Sequence, residues 1–269
     1  MSQPENERYT HGHHSSVVAA HARRTAEEAA AFLLPFLAPD SRLLDVGCGP
    51  GSITVGLARR CGEVIGVDSS DDVLESARSH QADQGVENLS FEAGSCYELR
   101  WEDETFDVVY AHQLLQHLAD PVAALREFRR VLKPGGLVAV RDADYGTMVH
   151  APIDPRIERW RDLFHEVARA NGGEPDAGRL LLPWVHQAGF ADPVTTATAW
   201  VYADQEGRDH WGELWAVRIT EGAFAAHAQE FGLATAPEIA DLAAAFRDWA
   251  ARPDGFFGFI HGEVLARRP

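Results

Sequence analysis

A doubly wound α/β fold, a mostly parallel sheet with helices on both faces, is predicted by three observations. Short apolar runs alternate with helical stretches from Arg42 to Asp142. A glycine-dense turn follows the first of those runs. No internal repeat or low-complexity linker divides the chain. Strands that alternate with helices are joined by crossovers, and crossovers make neighbouring strands parallel and cover both faces of their sheet.

The elements follow in order. SSVVAAHARRTAEEAAAFLLPFLA opens with Ser15 or Ser16 as a helix cap and sets Val18, Ala22, Ala26, Ala30, Leu33 and Leu37 at three- and four-residue steps, an amphipathic helix ahead of the main fold. RLLDVG, EVIGVD, LSFEAG, FDVVYAH and GLVAVRD are five strand candidates, with SITVGLARRC and DDVLESARSHQADQ as helices between them. Asp120 as cap and Pro121 at the first position start a helix that KPGG stops. Beyond Asp142, Asp154 and Pro155 start a helix with Ile157, Trp160, Phe164 and Val167 on one face, and another runs from Leu180 to a terminating Gly189. Val194 to Tyr202 reads as a strand, and Trp211, Leu214, Trp215 and Arg218 share a helix face. Thr235 with Glu238 forms a capping box ahead of Ile239, Leu242, Phe246 and Trp249, and FFGFIHGEVLA is a last strand. The expected organisation is an N-terminal lid over 1–40, a core over 41–145, and cap helices with the last two strands of the same sheet over 146–269.

Composition limits the partners. At 269 residues, with 45% hydrophobic and 24% charged residues, the chain buries a real core and is no acidic tail. Its net charge of −17 repels polyanions, so neither nucleic acid nor an acidic membrane surface is an expected partner. Three scattered cysteines, Cys48, Cys61 and Cys96, fit neither a disulfide framework nor a zinc cluster, and the reducing cytoplasm is the expected setting. The longest apolar stretch, Ala29 to Ala38, is broken by Pro35 and too short for a bilayer. His11, His13 and His14 lie close together, but no Cys or acid pair completes a ligand set, so no metal is expected.

The strongest chemical signal is LLDVGCGPGSIT, residues 43–54. Glycines at 47, 49 and 51 let the backbone turn tightly and approach a ligand. A dinucleotide fingerprint would need glycine at 52 or 54, where Ser52 and Thr54 stand. Asp45 puts a carboxylate beside the loop and favours a cationic or hydrogen-bond-donating ligand group. Asp68, 68 − 47 = 21 residues after Gly47, ends the second strand. An acid there accepts hydrogen bonds from both ribose hydroxyls and rejects a ribose phosphate, which points to an unphosphorylated nucleoside.

These segments resemble the class I S-adenosylmethionine-dependent methyltransferases. DVGCGPG, VIGVD, FDVVYAHQLLQHL and RVLKPGGLVAV are similar to four of that family's motifs and stand in the same order; DPVAALREFRRVLKPGG is similar to the small-molecule branch that includes the ubiquinone and menaquinone C-methyltransferases. The resemblance implies a Rossmann-like sheet of seven mostly parallel strands with the last antiparallel, helical cap elements, and S-adenosyl-L-methionine as cofactor. It implies that Asp45 and the backbone at Gly47, Cys48 and Gly49 hold the methionine part, that Asp68 holds the ribose, and that Ser69 lies beside the adenine. Gly94-Ser95-Cys96 stands where relatives often have Gly-Asp-Ala, so Ser95 offers the adenine a hydroxyl in place of a carboxylate. His112 and Gln113 fall where the family sets residues against the cofactor, and Gln116-His117 where many relatives have Glu-His.

Methyl transfer from a sulfonium is an in-line displacement, so the protein mainly positions the acceptor and excludes water. An OH, NH or activated aromatic carbon as acceptor also needs a base. The candidates are His112, His117, Asp142 and Asp144, with Tyr145 beside them. Tyr9 and Arg24 belong to a segment placed to fold over the cofactor, Arg24 pairing with the methionine carboxylate or else lying on a solvated face beside Glu27 and Glu28. Six of the seven tryptophans follow Asp142 and either line an acceptor pocket or pack a core. The acceptor is expected to be a small molecule, with the negative field tilting it toward neutral or cationic species, and a homo-oligomer is compatible with the chain. A nicotinamide-dependent oxidoreductase and a non-catalytic cofactor-binding protein are the alternatives.

Overall fold

The computed structural model describes residues 7–12 and 21–269. Seven strands form one sheet in the order β3-β2-β1-β4-β5-β7-β6: β1 (Arg42–Val46), β2 (Glu63–Asp68), β3 (Leu89–Ala93), β4 (Phe106–His112), β5 (Leu132–Ala151), β6 (Ala191–Tyr202) and β7 (Phe256–Arg267). The first five pair in parallel, while β7 runs antiparallel to both β5 and β6. The fold is thus the doubly wound sheet with an antiparallel last strand that the sequence predicts.

Helices α2 (Ser52–Ala58), α3 (Asp71–Gln84) and α4 (Pro121–Val131) connect the parallel strands. Asp120 caps α4 by accepting from the Ala123 N–H at 2.9 Å, and Pro121 stands at its first turn, where a missing N–H costs nothing. One buried cluster joins Leu44, Val109 and Val140 to Phe128 of α4 and Val185 of α6 (Leu181–Gln187) on one face of the sheet. The opposite face holds Leu43, Val64 and Ala139 with Leu57 and Leu74, and receives Ala26, Ala29 and Leu33 from the N-terminal segment. A third cluster is the cap: α5 (Pro155–Ala170), α7 (Gln205–Glu221), α8 (Ala223–Glu230) and α9 (Ala236–Ala250), packed against the far ends of β5 and β7. Among the described residues no helix is long and apolar enough to cross a membrane.

Four details depart from the sequence reading. The N-terminal helix does not continue to Leu37: among the described residues it is interrupted, with residues 21–22 helical, a break before the Thr25 cap of α1 (Ala26–Ala29), and a 3₁₀ turn at Leu34–Phe36 around Pro35, which has no N–H for an α-helical bond. Val18 and both capping serines lie outside the described residues. Lys133–Gly136 is not a plain stop but an irregular start of β5, with a register shift between Phe106 and Val108. β5 also runs on to Ala151, so a boundary at 145 falls inside a strand. Helix α8 is the fourth: AFAAHAQE has only Gly222 at its cap position, with no side-chain capping bond.

Candidate functional site

Strand order reverses between β1 and β4, so the connections after them leave in opposite directions and open a crevice at their carboxyl ends. A cleft of about 1130 Å³ occupies it. Gly47 and Gly49 adopt φ of +73° and +54°, which side chains rarely tolerate, and nothing lies within 4 Å of where a Gly49 Cβ would be. Gly51 differs from the expectation: it is the cap residue of α2, and its missing Cβ makes room for Phe91, whose Cζ would lie 2.5 Å away, rather than for a ligand.

The loop amides are all occupied. Gly47 and Cys48 N–H donate to the Val67 carbonyl at 2.7 and 3.0 Å, and Gly49 N–H donates to Asp68 Oδ2 at 3.0 Å. A pyrophosphate needs such N–H groups aimed at it. What this loop presents instead is carboxylates and carbonyl oxygens, which suits hydroxyls and cations. Asp68 accepts a second bond from Ser70 N–H at 3.1 Å, and its remaining lone pairs face the cleft. Asp45, 2% exposed, accepts from the Thr54 hydroxyl at 2.6 Å. Burial pushes the Asp45 carboxyl up to about 7, the Thr54 bond opposes this, and the nearby Asp68 charge adds to it. Burial likewise pushes the Cys48 thiol well up, so it lies in the cleft as a neutral group.

The other side of the cleft comes from the end of β4 and from the N-terminal segment. His112 is buried, and neither ring nitrogen has a partner among the described residues. Burial and the Arg24 and Arg141 charges hold it well below the usual imidazole range, so it is neutral and keeps a free lone pair. His117 is pushed down to about 3 by burial and by Arg218 and Arg24. Ala143 N–H donates to Gln116 Oε1, which turns the Gln116 amide nitrogen toward His117 Nε2 at 3.0 Å. Nε2 is therefore an acceptor and the His117 proton sits on Nδ1. Tyr9 stands edge-on to the His117 ring at 4.7 Å. Arg24 is not on a solvated face: it donates to Gln113 Oε1 at 2.7 Å and lies over the Trp200 ring at 5.5 Å. Desolvation lowers it to about 10, with Arg218 the next cause.

Glu7 closes the cleft at the other end by accepting from Tyr97 Oη and from Ala119 N–H. An adjoining pocket of about 420 Å³ is lined by Ser95 and Cys96 and shares Gly47, Asp68, Ser69 and Leu114 with the main cleft. A second, larger cleft of about 1380 Å³ opens beyond Arg24 and Gln113, which line both. Its walls include Tyr145, Trp200, Tyr202, Trp211 and Arg218. Trp200 and Trp211 line this cleft, and Trp211 also packs in the cap core with Trp160, Trp215 and Trp249.

Asp142 and Asp144 line neither cleft, contrary to their selection as candidate bases. Side chains alternate along β5, and Ala139, Ala143 and Tyr145 share the face that Asp142 and Asp144 point away from. Asp142 accepts from Gln116 N–H at 3.1 Å and is pushed up to about 8 by burial. Asp144 is held by Arg179 through two 2.6 Å bonds. Arg141 pairs across the sheet with Glu263 at 3.1 Å, not with Asp142. His13 and His14 lie outside the described residues; among those described, no group of three or more His, Cys, Asp or Glu is placed to hold a metal.

Sequence reading missed Glu7, Thr54 and the chemistry of Arg218. For Arg218 a signal existed: an arginine at i+7 from Trp211 and i+3 from Trp215 stands on the apolar stripe of its helix, where a cation must be buried.

A parallel sheet with an acid-flanked glycine turn at its switch point, amides turned inward, and an acid ending the second strand define a nucleoside-binding α/β protein that takes an unphosphorylated ribose. The comparisons are more specific. Residues 37–189 match the family described as the methyltransferase domain, and the chain belongs to that family. An uncharacterized methyltransferase of Schizosaccharomyces pombe is 39% identical over 81% of this chain and 82% of its own length. The probable methyltransferase ltbC of Aspergillus luteorubrus is 31% identical over 98% and 99%. Among solved structures, the YcgJ protein of Bacillus subtilis shares the fold with a TM-score of 0.58 at 19% identity, over 89% of this chain and 97% of that one. The protein is an S-adenosylmethionine-dependent methyltransferase, and the open glycine cradle with the carboxylates of Asp45 and Asp68 fits that cofactor, which when bound supplies an electrophilic methyl group.

Proposed function

We propose that the enzyme methylates a small-molecule acceptor held in the second cleft, with the methyl donor in the first. The observation that carries this reading is the junction: Arg24 and Gln113 line both clefts, so ligands in the two approach each other there. Asp68 binds the ribose hydroxyls, and Ser69, Ser95 and Cys96 line the space for the base. Asp45 takes the ammonium of the methionine end and Arg24 its carboxylate. Neutral His112, with an unpartnered ring nitrogen at the cleft wall, is the group best placed to accept a proton from an acceptor that must lose one. Tyr9 and His11 cover the site and exclude water. The net charge of −17 and the three free cysteines support a cytoplasmic enzyme that does not act on nucleic acid.

The test separates the clefts. Leu214→Trp fills the second cleft from α7, away from the first. S-adenosylhomocysteine affinity by calorimetry should be unchanged, while methyl transfer from labelled cofactor into a metabolite extract should fall at least about tenfold, since misplacing an acceptor removes the gain from orientation. Undiminished transfer by the variant would exclude the second cleft as the acceptor site.

A further inference from the structure

A single helix side chain gives the second cleft a chemical preference. Arg218 on α7 is 5% exposed, lines this cleft and not the first, and stacks over Trp215 with its guanidinium carbon 5.4 Å from the ring centroid. Its buried Nε has no hydrogen-bond partner, and among the described residues no carboxylate lies within ion-pair distance of it. The phenols of Tyr145, Tyr9 and Tyr202 face it, and the Arg24 guanidinium is near enough for the two cations to repel each other. The other buried arginines are placed differently: Arg141 has Glu263, and Arg208, away from both clefts, donates to the Ala203 carbonyl and to Gln205 Oε1, while half-buried Arg24 has Gln113 at the junction. Glu27 and Glu28 stand at the mouth of the cleft, but both are exposed, and Glu27 faces Arg60 at 3.5 Å.

A guanidinium buried without a counter-ion carries a large desolvation cost unless something else neutralises it. In the protein alone nothing among the described residues does so. The guanidinium presents a planar fork of donors whose geometry matches a carboxylate. Around it, Tyr145, Trp200, Tyr202, Trp211 and Phe259 supply flat apolar walls.

We propose that the acceptor is an aromatic carboxylate, its ring between these aromatic walls and its carboxylate on Arg218. This rests on the reading that the second cleft holds the acceptor. It also reverses the tilt that net charge alone suggested: the protein is acidic as a whole, but the interior of this cleft is cationic. The carboxylate end would be fixed at Arg218, so the atom to be methylated is one at the opposite side of the ring, toward the Arg24–Gln113 junction.

Binding of a naphthoate and of the matching naphthamide, measured by calorimetry on the full chain saturated with S-adenosylhomocysteine, tests this. The two probes have the same shape and differ in charge. The wild type should bind the naphthoate about 10- to 100-fold more tightly, the range expected for a hydrogen bond to a charged group. Arg218→Gln should bring the two probes to within about twofold, and Arg218→Lys, which keeps the charge but loses the fork, should leave an intermediate preference. Equal affinities in the wild type overturn the proposal and need no variant, and so does a naphthoate preference that survives in Arg218→Gln. S-adenosylhomocysteine binding in the same series reads the first cleft separately: intact binding without carboxylate preference overturns this proposal alone, whereas a wild type that takes no S-adenosylhomocysteine overturns the assignment of both clefts.

Discussion

The proposed assignment of Asp45 to the cofactor's ammonium predicts that cofactor binding is pH-dependent in a range where free carboxylates do not titrate. Its carboxyl is buried, accepts from the Thr54 hydroxyl, and is pushed up to about 7. The methionine end of the cofactor carries an ammonium, which favours the ionised acid. Below pH 7, binding must therefore first remove a proton from Asp45, and each pH unit costs a factor of about ten, or about 1.4 kcal/mol. From about pH 7 down to about pH 5 the affinity for S-adenosylhomocysteine should fall about 100-fold, near 2.7 kcal/mol. Calorimetric titration at several pH values gives the slope directly. Asp45→Asn keeps an oxygen for Thr54 but removes both charge and titration. Its profile should be flat over the same interval, with affinity at about pH 7.5 lower than wild type by about 100-fold. A flat wild-type profile, or a slope that persists in Asp45→Asn, would refute the assignment of Asp45 to the ammonium.

The remaining expectations concern neighbouring residues. Asp68→Ala removes the acceptor for Gly49 and Ser70 N–H as well as for the ribose, and should weaken S-adenosylhomocysteine binding by about 1.5–3 kcal/mol; unchanged affinity by calorimetry would sink the ribose assignment. Asp142→Asn mimics the neutral acid, keeps the bond from Gln116 N–H, and should leave turnover within about threefold; a loss of two orders of magnitude with intact cofactor binding would restore Asp142 as a base. The raised carboxyls of Asp45 and Asp142 hold their protons more tightly folded than unfolded. Their stabilising contribution is thus complete below about pH 4 and lost as pH rises through about 7 to 8. The ligand-free protein should melt at lower temperature at pH 8.5 than at pH 5.5 by calorimetry, to a smaller extent in the double Asn variant. Gly51→Ala puts a methyl 2.5 Å from Phe91 Cζ at φ +76° and should cost about 1–3 kcal/mol of stability in urea unfolding, where no change would contradict the packing role.

The cofactor half of the site was legible in the sequence because its signals are local. A short apolar run into Gly47 and Gly49 fixes a buried strand and a tight turn, and Asp68 follows at the end of the next strand whatever the rest of the chain does. The second cleft was not legible, since Trp200, Trp211, Arg218 and Phe259 come from three elements that only the tertiary fold assembles. Some errors were avoidable from pattern alone. Alternation along RDADYG already puts Asp142 and Asp144 on one face of the strand and Ala143 and Tyr145 on the other, so the acids cannot face the same cleft as Tyr145. Gly51 shows the opposite limit: its requirement for a missing Cβ was readable, but only the packing of Phe91 reveals that the reason is structural.

The charges around the clefts form an order that no single residue conveys. Asp45 and Asp68 stand at the sheet end of the first cleft, Arg24 at its junction with the second, and Arg218 within the second. The imidazoles between them, His11, His112 and His117, are held neutral chiefly by burial; Arg218 and Arg24 lower His11 and His117 further, and Arg24 and Arg141 lower His112. They therefore add no positive charge near physiological pH, and the gradient from carboxylate to guanidinium is preserved. Such a gradient orients a zwitterion: an ammonium settles against Asp45 and a carboxylate against Arg24, and the reverse placement sets like charges together at both ends. Orientation at the donor end fixes where the reactive carbon can lie, and on the proposed reading the cationic second cleft holds the acceptor from the other side. Much of the −17 net charge lies elsewhere, since among the charged side chains lining the second cleft arginines outnumber carboxylates. Net charge governs the approach of ligands to the molecule, while the sign of a buried cleft governs which of them remains.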